Sequence, residues 1–162
     1  MIRVNAGRDD AAVDAVVSGD PEAAELAASA HVYCSEAFAN GVSNIPAGTP
    51  GFIAALSPGS AARLTNRYYD DEHELLADVG RAMRTEYQAI TDAGLTVQFD
   101  APDLAEAWDQ INPEPTVEDF RGFIRERIDV LNDSIAGLPK EQTRLHICWG
   151  SWHGPHVTDV PF

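Results

Sequence analysis

The chain has few cysteines, few basic residues and no long apolar run, and each shortage narrows what it does. Two cysteines in 162 residues, Cys34 and Cys148, make no disulfide framework. A reducing cytoplasm is therefore the expected compartment, where a cysteine next to a histidine binds metal or reacts more often than it cross-links. Lys and Arg together number 11 against 26 acidic residues, a net charge of -15. That balance repels nucleic acid and anionic membrane, so neither is an expected partner. The longest apolar runs are far too short to span a bilayer. The opening Met1-Ile-Arg-Val-Asn-Ala-Gly-Arg-Asp-Asp lacks the apolar core of a signal peptide.

The remaining composition is globular, and the length suits one domain, residues 1–162. Asp9 to Ala28 predicts two short helices. Ala12, Val13, Val16 and Val17 share one helix face, and Asp20-Pro21 starts the second helix. His31 to Ser35 is a candidate strand, and Asn40 to Gly51 is a loop by composition. Residues 1–50 thus form a loosely characterised N-terminal part.

Beyond residue 51 the pattern is clearer. Phe52 to Leu56 is an unbroken apolar run closed by Ser57-Pro-Gly59, which suits a strand covered on both faces. Asp70 to Asp92 is a helix, with Leu75, Leu76, Val79, Met83, Tyr87 and Ile90 at the helical period and Gly94 as its C-terminal stop. Leu95 to Phe99 is the next strand. A second long helix runs from its cap Thr116 to Ala136, with Val117, Phe120, Phe123, Ile124, Ile128, Leu131 and Ile135 on its apolar side. Thr116 and Asp119 form a loose capping box. Arg144 to Cys148 is the last strand. Strands alternating with helices long enough for crossovers predict an α/β fold with parallel strands.

In such folds ligands gather at the C-terminal ends of strands. Three ends carry polar or turn residues here: Ser57-Pro-Gly59, Asp100-Ala-Pro-Asp103, and Cys148 onward. His146 and Cys148, two apart on a strand, present an imidazole and a thiol on one face. That pair starts a zinc site without finishing it, because zinc takes at least three protein ligands. The same residues have plainer explanations. A lone His on a buried strand is commonly a hydrogen-bonded core residue, and Asp100 can simply cap the turn before Pro102. Trp149 and Trp152 suit packing, and His153 and His156 suit a loop. Cys34 suits a small buried side chain, and Glu36 a solvated charge. Arg63, Arg67, Tyr68 and Tyr69 suit either an anionic substrate or a helix surface.

Three stretches carry a resemblance: Phe52-Ile-Ala-Ala-Leu-Ser-Pro-Gly-Ser60, Val97-Gln-Phe-Asp-Ala-Pro-Asp-Leu104, and Leu145-His-Ile-Cys-Trp-Gly-Ser-Trp-His-Gly-Pro-His156. Together they resemble the cobalamin-independent methionine synthase family, more narrowly its short single-barrel, methionine synthase II-like branch. The resemblance covers residues 51–162, and the His-x-Cys strand followed by Trp-Gly-Ser-Trp is its most specific part. It implies a (β/α)8 TIM barrel of the methionine synthase/uroporphyrinogen decarboxylase type, partial here, because such a barrel needs at least ~200 residues. It implies zinc as cofactor, with His146 and Cys148 matching the first two metal ligands and Asp100 matching a substrate-binding aspartate. The implied reaction is that of a 5-methyltetrahydropteroyltriglutamate–homocysteine S-methyltransferase, a step of methionine biosynthesis. Zinc binds the acceptor thiol as thiolate, and the thiolate attacks the methyl carbon of a folate-type donor.

The resemblance places the family's remaining Glu and Cys ligands and its catalytic His on strands beyond Phe162, so no catalytic residue is assigned. Within the chain, His153, His156, Asp100 and Cys34 are the candidate substitutes. The loop after Cys148 departs from that of true methionine synthases, which leaves the acceptor open to another thiol. Two further expectations stand beside the enzyme. One is a non-catalytic α/β remnant that associates with another chain, or with itself, through open barrel edges. The other is a metal-free, decarboxylase-type relative in which Asp100 is the polar centre and His146 is structural.

Overall fold

The computed structural model describes residues 50–63, 66, 68–149, 153–155, 157 and 159. The helices and strand expected over residues 9–35 lie outside them, as do Cys34, Glu36, Arg67, Trp152 and His156. The described elements run β1 (Phe52–Leu56), α1 (Pro58–Ala61), α2 (Glu72–Asp92), β2 (Thr96–Asp100), α3 (Val117–Ile135) and β3 (Thr143–His146). Short 3-10 turns occupy Pro102–Leu104, Glu106–Gln110 and Lys140–Gln142. The three strands form one parallel sheet in the order β1-β2-β3, which makes this part of the chain an α/β fold.

The two long helices start and stop where local chemistry dictates. Asp71 caps α2 by accepting from the His73 amide at 2.9 Å. Gly94 ends it at φ +77, in the left-handed region open to glycine. The Gly94 amide donates to the Thr91 carbonyl and the Leu95 amide to that of Ile90, the paired bonds of a Schellman stop. At α3, Thr116 and Asp119 cap each other reciprocally.

Both long helices pack on one face of the sheet. Ala55, Val97 and Phe99 point there and meet Tyr87 and Ile90 of α2 and Leu131 of α3. The Tyr87 and Phe99 rings cross edge to face with centroids 4.8 Å apart. Gly80 sets how closely the helices approach, since a Cβ there would lie 2.7 Å from Val130 Cγ1 and 2.8 Å from Ser134 Oγ. That approach turns Val130 and Ser134 inward, while Val117 and Ile128, expected on the apolar side, are exposed. A smaller cluster of Ala107, Trp108 and Phe120 fills the space under the β2–α3 connection.

Alternation along the strands puts Phe52, Ala54, Leu56, Gln98, Asp100, Arg144 and His146 on the opposite face. Phe52 is 51% exposed and Leu56 47%. The expectation that β1 is covered on both faces is therefore corrected: among the described residues, the helices cover one. Among the described residues, no helix is long and apolar enough to cross a membrane.

Candidate functional site

Three strand ends converge at one edge of the sheet. Asp100 is the register partner of Leu56 on one side and of His146 on the other. Backbone bonds extend the ladder past the strands: the Ser57 amide donates to the Asp100 carbonyl at 2.8 Å, and the Ala101 amide to the His146 carbonyl at 2.9 Å. Asp100 Oδ1 and His146 Nε2 lie 3.7 Å apart, within ion-pairing reach and too far for a hydrogen bond. Both side chains are partly exposed on the face the helices leave open.

His146 is thus no hydrogen-bonded core histidine, because its side chain is 46% exposed. Nor does Asp100 cap the turn before Pro102: among the described residues, its carboxylate meets only His146. Strand β3 stops at His146, so Cys148 follows the strand instead of belonging to it. Cys148 is a free, half-buried thiol. Trp149 beside it is also half-buried, and His153 is exposed outside regular structure.

The zinc shell implied by the resemblance can be tested against this arrangement. Among the described residues, no three His, Cys, Asp or Glu side chains are grouped so as to hold a metal ion. Asp100, His146 and Cys148 therefore do not close a zinc site by themselves.

The most buried polar group lies just behind the strand ends and was not expected. Asp103, fully buried, accepts at Oδ1 from Ser57 Oγ at 2.9 Å and from Ser60 Oγ at 2.5 Å. Each hydroxyl has one hydrogen, so with both donated to the carboxylate the 3.0 Å Ser57–Ser60 approach is a contact only. Ser57 Oγ in turn accepts from the Ser60 amide and caps α1. Asp103 Oδ2 faces Arg127 Nε at 3.7 Å, and both atoms are buried without a hydrogen-bond partner among the described residues. The Arg127 guanidinium lies over the Phe123 ring, 3.2 Å from its centroid, and burial lowers its pKa. Tyr87 completes this layer. Its hydroxyl donates to the Leu56 carbonyl at 2.5 Å, and its pKa is raised first by burial, then by the negative Glu86 and Asp103.

This network clamps the β1–α1 turn to the turn after β2, and so fixes the backbone that carries Asp100. Sequence reasoning marked both turns as strand ends but singled out only Asp100. Arg127 gave no signal, since a charged residue on a long helix ordinarily faces water. Arg63, a candidate for an anionic substrate, is instead occupied by Glu106 at 3.1 Å and by Gln110. Tyr69 donates to Asp78 Oδ2 at 3.0 Å, and Tyr68 is exposed.

The fold and the site define the class only as far as a parallel α/β protein with a polar edge at its strand ends. Compared with known proteins, the chain matches no family model, no curated protein and no solved structure.

Proposed function

We propose that the chain is a thiol alkyltransferase related to the cobalamin-independent methionine synthases, acting on a small thiol such as homocysteine with a folate-type methyl donor. The observation that carries this reading is the register pair Asp100–His146 on the open face, at the C-terminal end of a parallel sheet. Ligand sites of parallel α/β folds form at that end, and the described parts of the three resembling stretches meet there. The finer fold, part of a TIM barrel, belongs to the same proposal. It is supported by parallel strands in sequential order with helices on one face. So does a cytoplasmic location, supported by the low cysteine content.

In this reading Asp100 pairs with the ammonium of the acceptor, a charge-assisted contact that orients the thiol. His146 and Cys148 are two zinc ligands, and at least one more comes from outside the described residues. When bound, zinc supplies acidity to the thiol, lowering its pKa so that it reacts as thiolate.

The second reading, a non-catalytic α/β remnant that associates with another chain, is favoured by the exposed Phe52, Leu56, Leu145 and Ile147 beside the outer strands. A zinc titration by calorimetry separates the two. Losing an outer-shell partner of a metal ligand typically costs ~10–100-fold in affinity, so losing the ligand itself in Cys148→Ser is expected to cost at least about 100-fold. Equal zinc binding by the native chain and the variant would remove the enzyme reading and leave the second.

A further inference from the structure

We propose that a second copy of this chain docks, by two-fold symmetry, on the outer flank of α3 and the adjoining edge of β3. This goes beyond both functional readings, because that surface belongs to the helix layer and leaves the Asp100–His146 edge free. Val117, Arg121, Ile124, Ile128, Asn132 and Ile135 recur every three or four positions, so they form one stripe along α3. Ile128 lies two residues, about 200°, round the helix from Val130, which faces Gly80 of α2. The stripe therefore looks away from α2. Since α2 packs over β1 and β2, the far flank of α3 lies on the β3 side. There Leu145, the register partner of buried Phe99, points to the same helix-bearing face from the outer strand and is half exposed. Ile147, two residues on, is exposed as well. Four of the eight large apolar side chains exposed among the described residues thus lie on this side, which makes a patch of what would otherwise be scatter.

Charge selects the occupant. Two chains of net charge -15 repel, so they can meet only where carboxylates are missing. Five acidic residues lie on α3, Glu118, Asp119, Glu126, Asp129 and Asp133, and none falls on the stripe. A basic partner would be drawn to those carboxylates, whereas an apolar stripe without them suits a like chain.

A two-fold axis at Ile128 makes the stripe self-complementary. Helix α3 then runs antiparallel to its mate, and Ile128 meets Ile128 of the partner subunit. Arg121 reaches the last helical turn at the partner's Ile135. That turn has no basic residue of its own, and a cation is favoured at the negative end of a helix. Arg84 serves the Ser134 and Ala136 carbonyls from the α2 side, so the outer flank stays open to Arg121. The present partner of Arg121 is an exposed Glu118 at 3.3 Å, a pair that costs little to rearrange.

Sedimentation velocity of the whole chain between about 1 and 200 µM tests this, a range that covers the weaker specific interfaces. A monomer–dimer equilibrium is expected within it, tightening as salt rises from about 0.05 to 0.5 M, because salt screens the repulsion between two acidic chains. Ile128→Lys sets two like charges together at the axis and is expected to weaken the dimer at least about 100-fold. Leu145→Lys, on the strand side, is expected to weaken it at least about tenfold. Both residues are exposed, so the circular dichroism spectrum and the urea midpoint stay native; should one variant fail to fold, the other carries the test. Phe52→Lys, on the open face of the sheet, is expected to leave the dimer unchanged. A native chain that stays monomeric throughout, an assembly larger than two, a dimer loosened by salt, one broken by Phe52→Lys, or one indifferent to Ile128→Lys and Leu145→Lys would overturn the inference. None of these variants alters Asp100, His146 or Cys148, so its failure leaves the thiol-transfer reading standing.

Discussion

Replacing Asp103 by alanine is expected to destabilise the fold by about 3–5 kcal/mol, the usual cost of removing one partner from a buried ion pair. At 2–4 °C per kcal/mol for a chain of this size, melting falls by about 10 °C. The physical reason is what the carboxylate leaves behind. Ser57 is buried and would lose the acceptor of its only hydrogen, and Arg127 would lose the charge facing its buried Nε. Buried donors without acceptors cost the full price of their lost hydration. Asp103→Asn keeps an oxygen for the two serines and removes only the charge, so its loss is smaller, about 1–3 kcal/mol. Urea unfolding of the two variants beside the native chain measures both. An alanine variant within about 0.5 kcal/mol of native, the range of an ordinary surface change, would mean that Asp103 is not the clamp described.

Gly59→Ala is expected to cost about 3 kcal/mol, the upper end for overpacking a filled interior. Its new Cβ would overlap Asp103 Oδ2 and lie 2.8 Å from Arg127 Cγ. Such an overlap is cheap when the opposing atom ends a flexible side chain, but this carboxylate is fixed through its other oxygen, Oδ1, by Ser57 and Ser60. The same geometry predicts strong coupling. In the double variant Gly59→Ala/Asp103→Ala the methyl enters space the carboxylate has left, so its cost falls well below the sum of the single variants. Groups in contact commonly couple by about 0.5–3 kcal/mol, which unfolding of all four chains resolves. Additive costs would show that the two residues do not meet.

These two residues also mark where sequence was silent. The strands and long helices were legible within one or two residues, because apolar periodicity, the Thr116–Asp119 box and the Gly94 stop are local signals. The site pair was legible in part. Asp100 and His146 stood out as polar residues at strand ends, and their pairing follows from parallel register. Asp103 did not stand out, because nothing local distinguishes the two aspartates of one turn; only the packing of that turn against Gly59 decides which is buried. Arg127 and the exposure of Ile128 depend on how α3 lies against α2, a distance set by Gly80 on the other helix. The 3-10 turns over Pro102–Leu104 and Glu106–Gln110 escaped because segments so short show no period. The end of β3 at His146 escaped because Ile147 and Cys148 are as apolar as a strand requires.

Thiol transfer at the Asp100–His146 edge is the central claim, and X-ray absorption at the zinc edge tests it most directly. The zinc-loaded chain is expected to show a sulfur at about 2.3 Å and imidazole nitrogen at about 2.0 Å, the distances zinc keeps to Cys and His. The sulfur disappears in Cys148→Ser. Adding homocysteine to the native chain brings in a further sulfur at the same distance, as its thiolate binds. A shell that contains no sulfur, or that is unchanged both by Cys148→Ser and by homocysteine, would contradict the account.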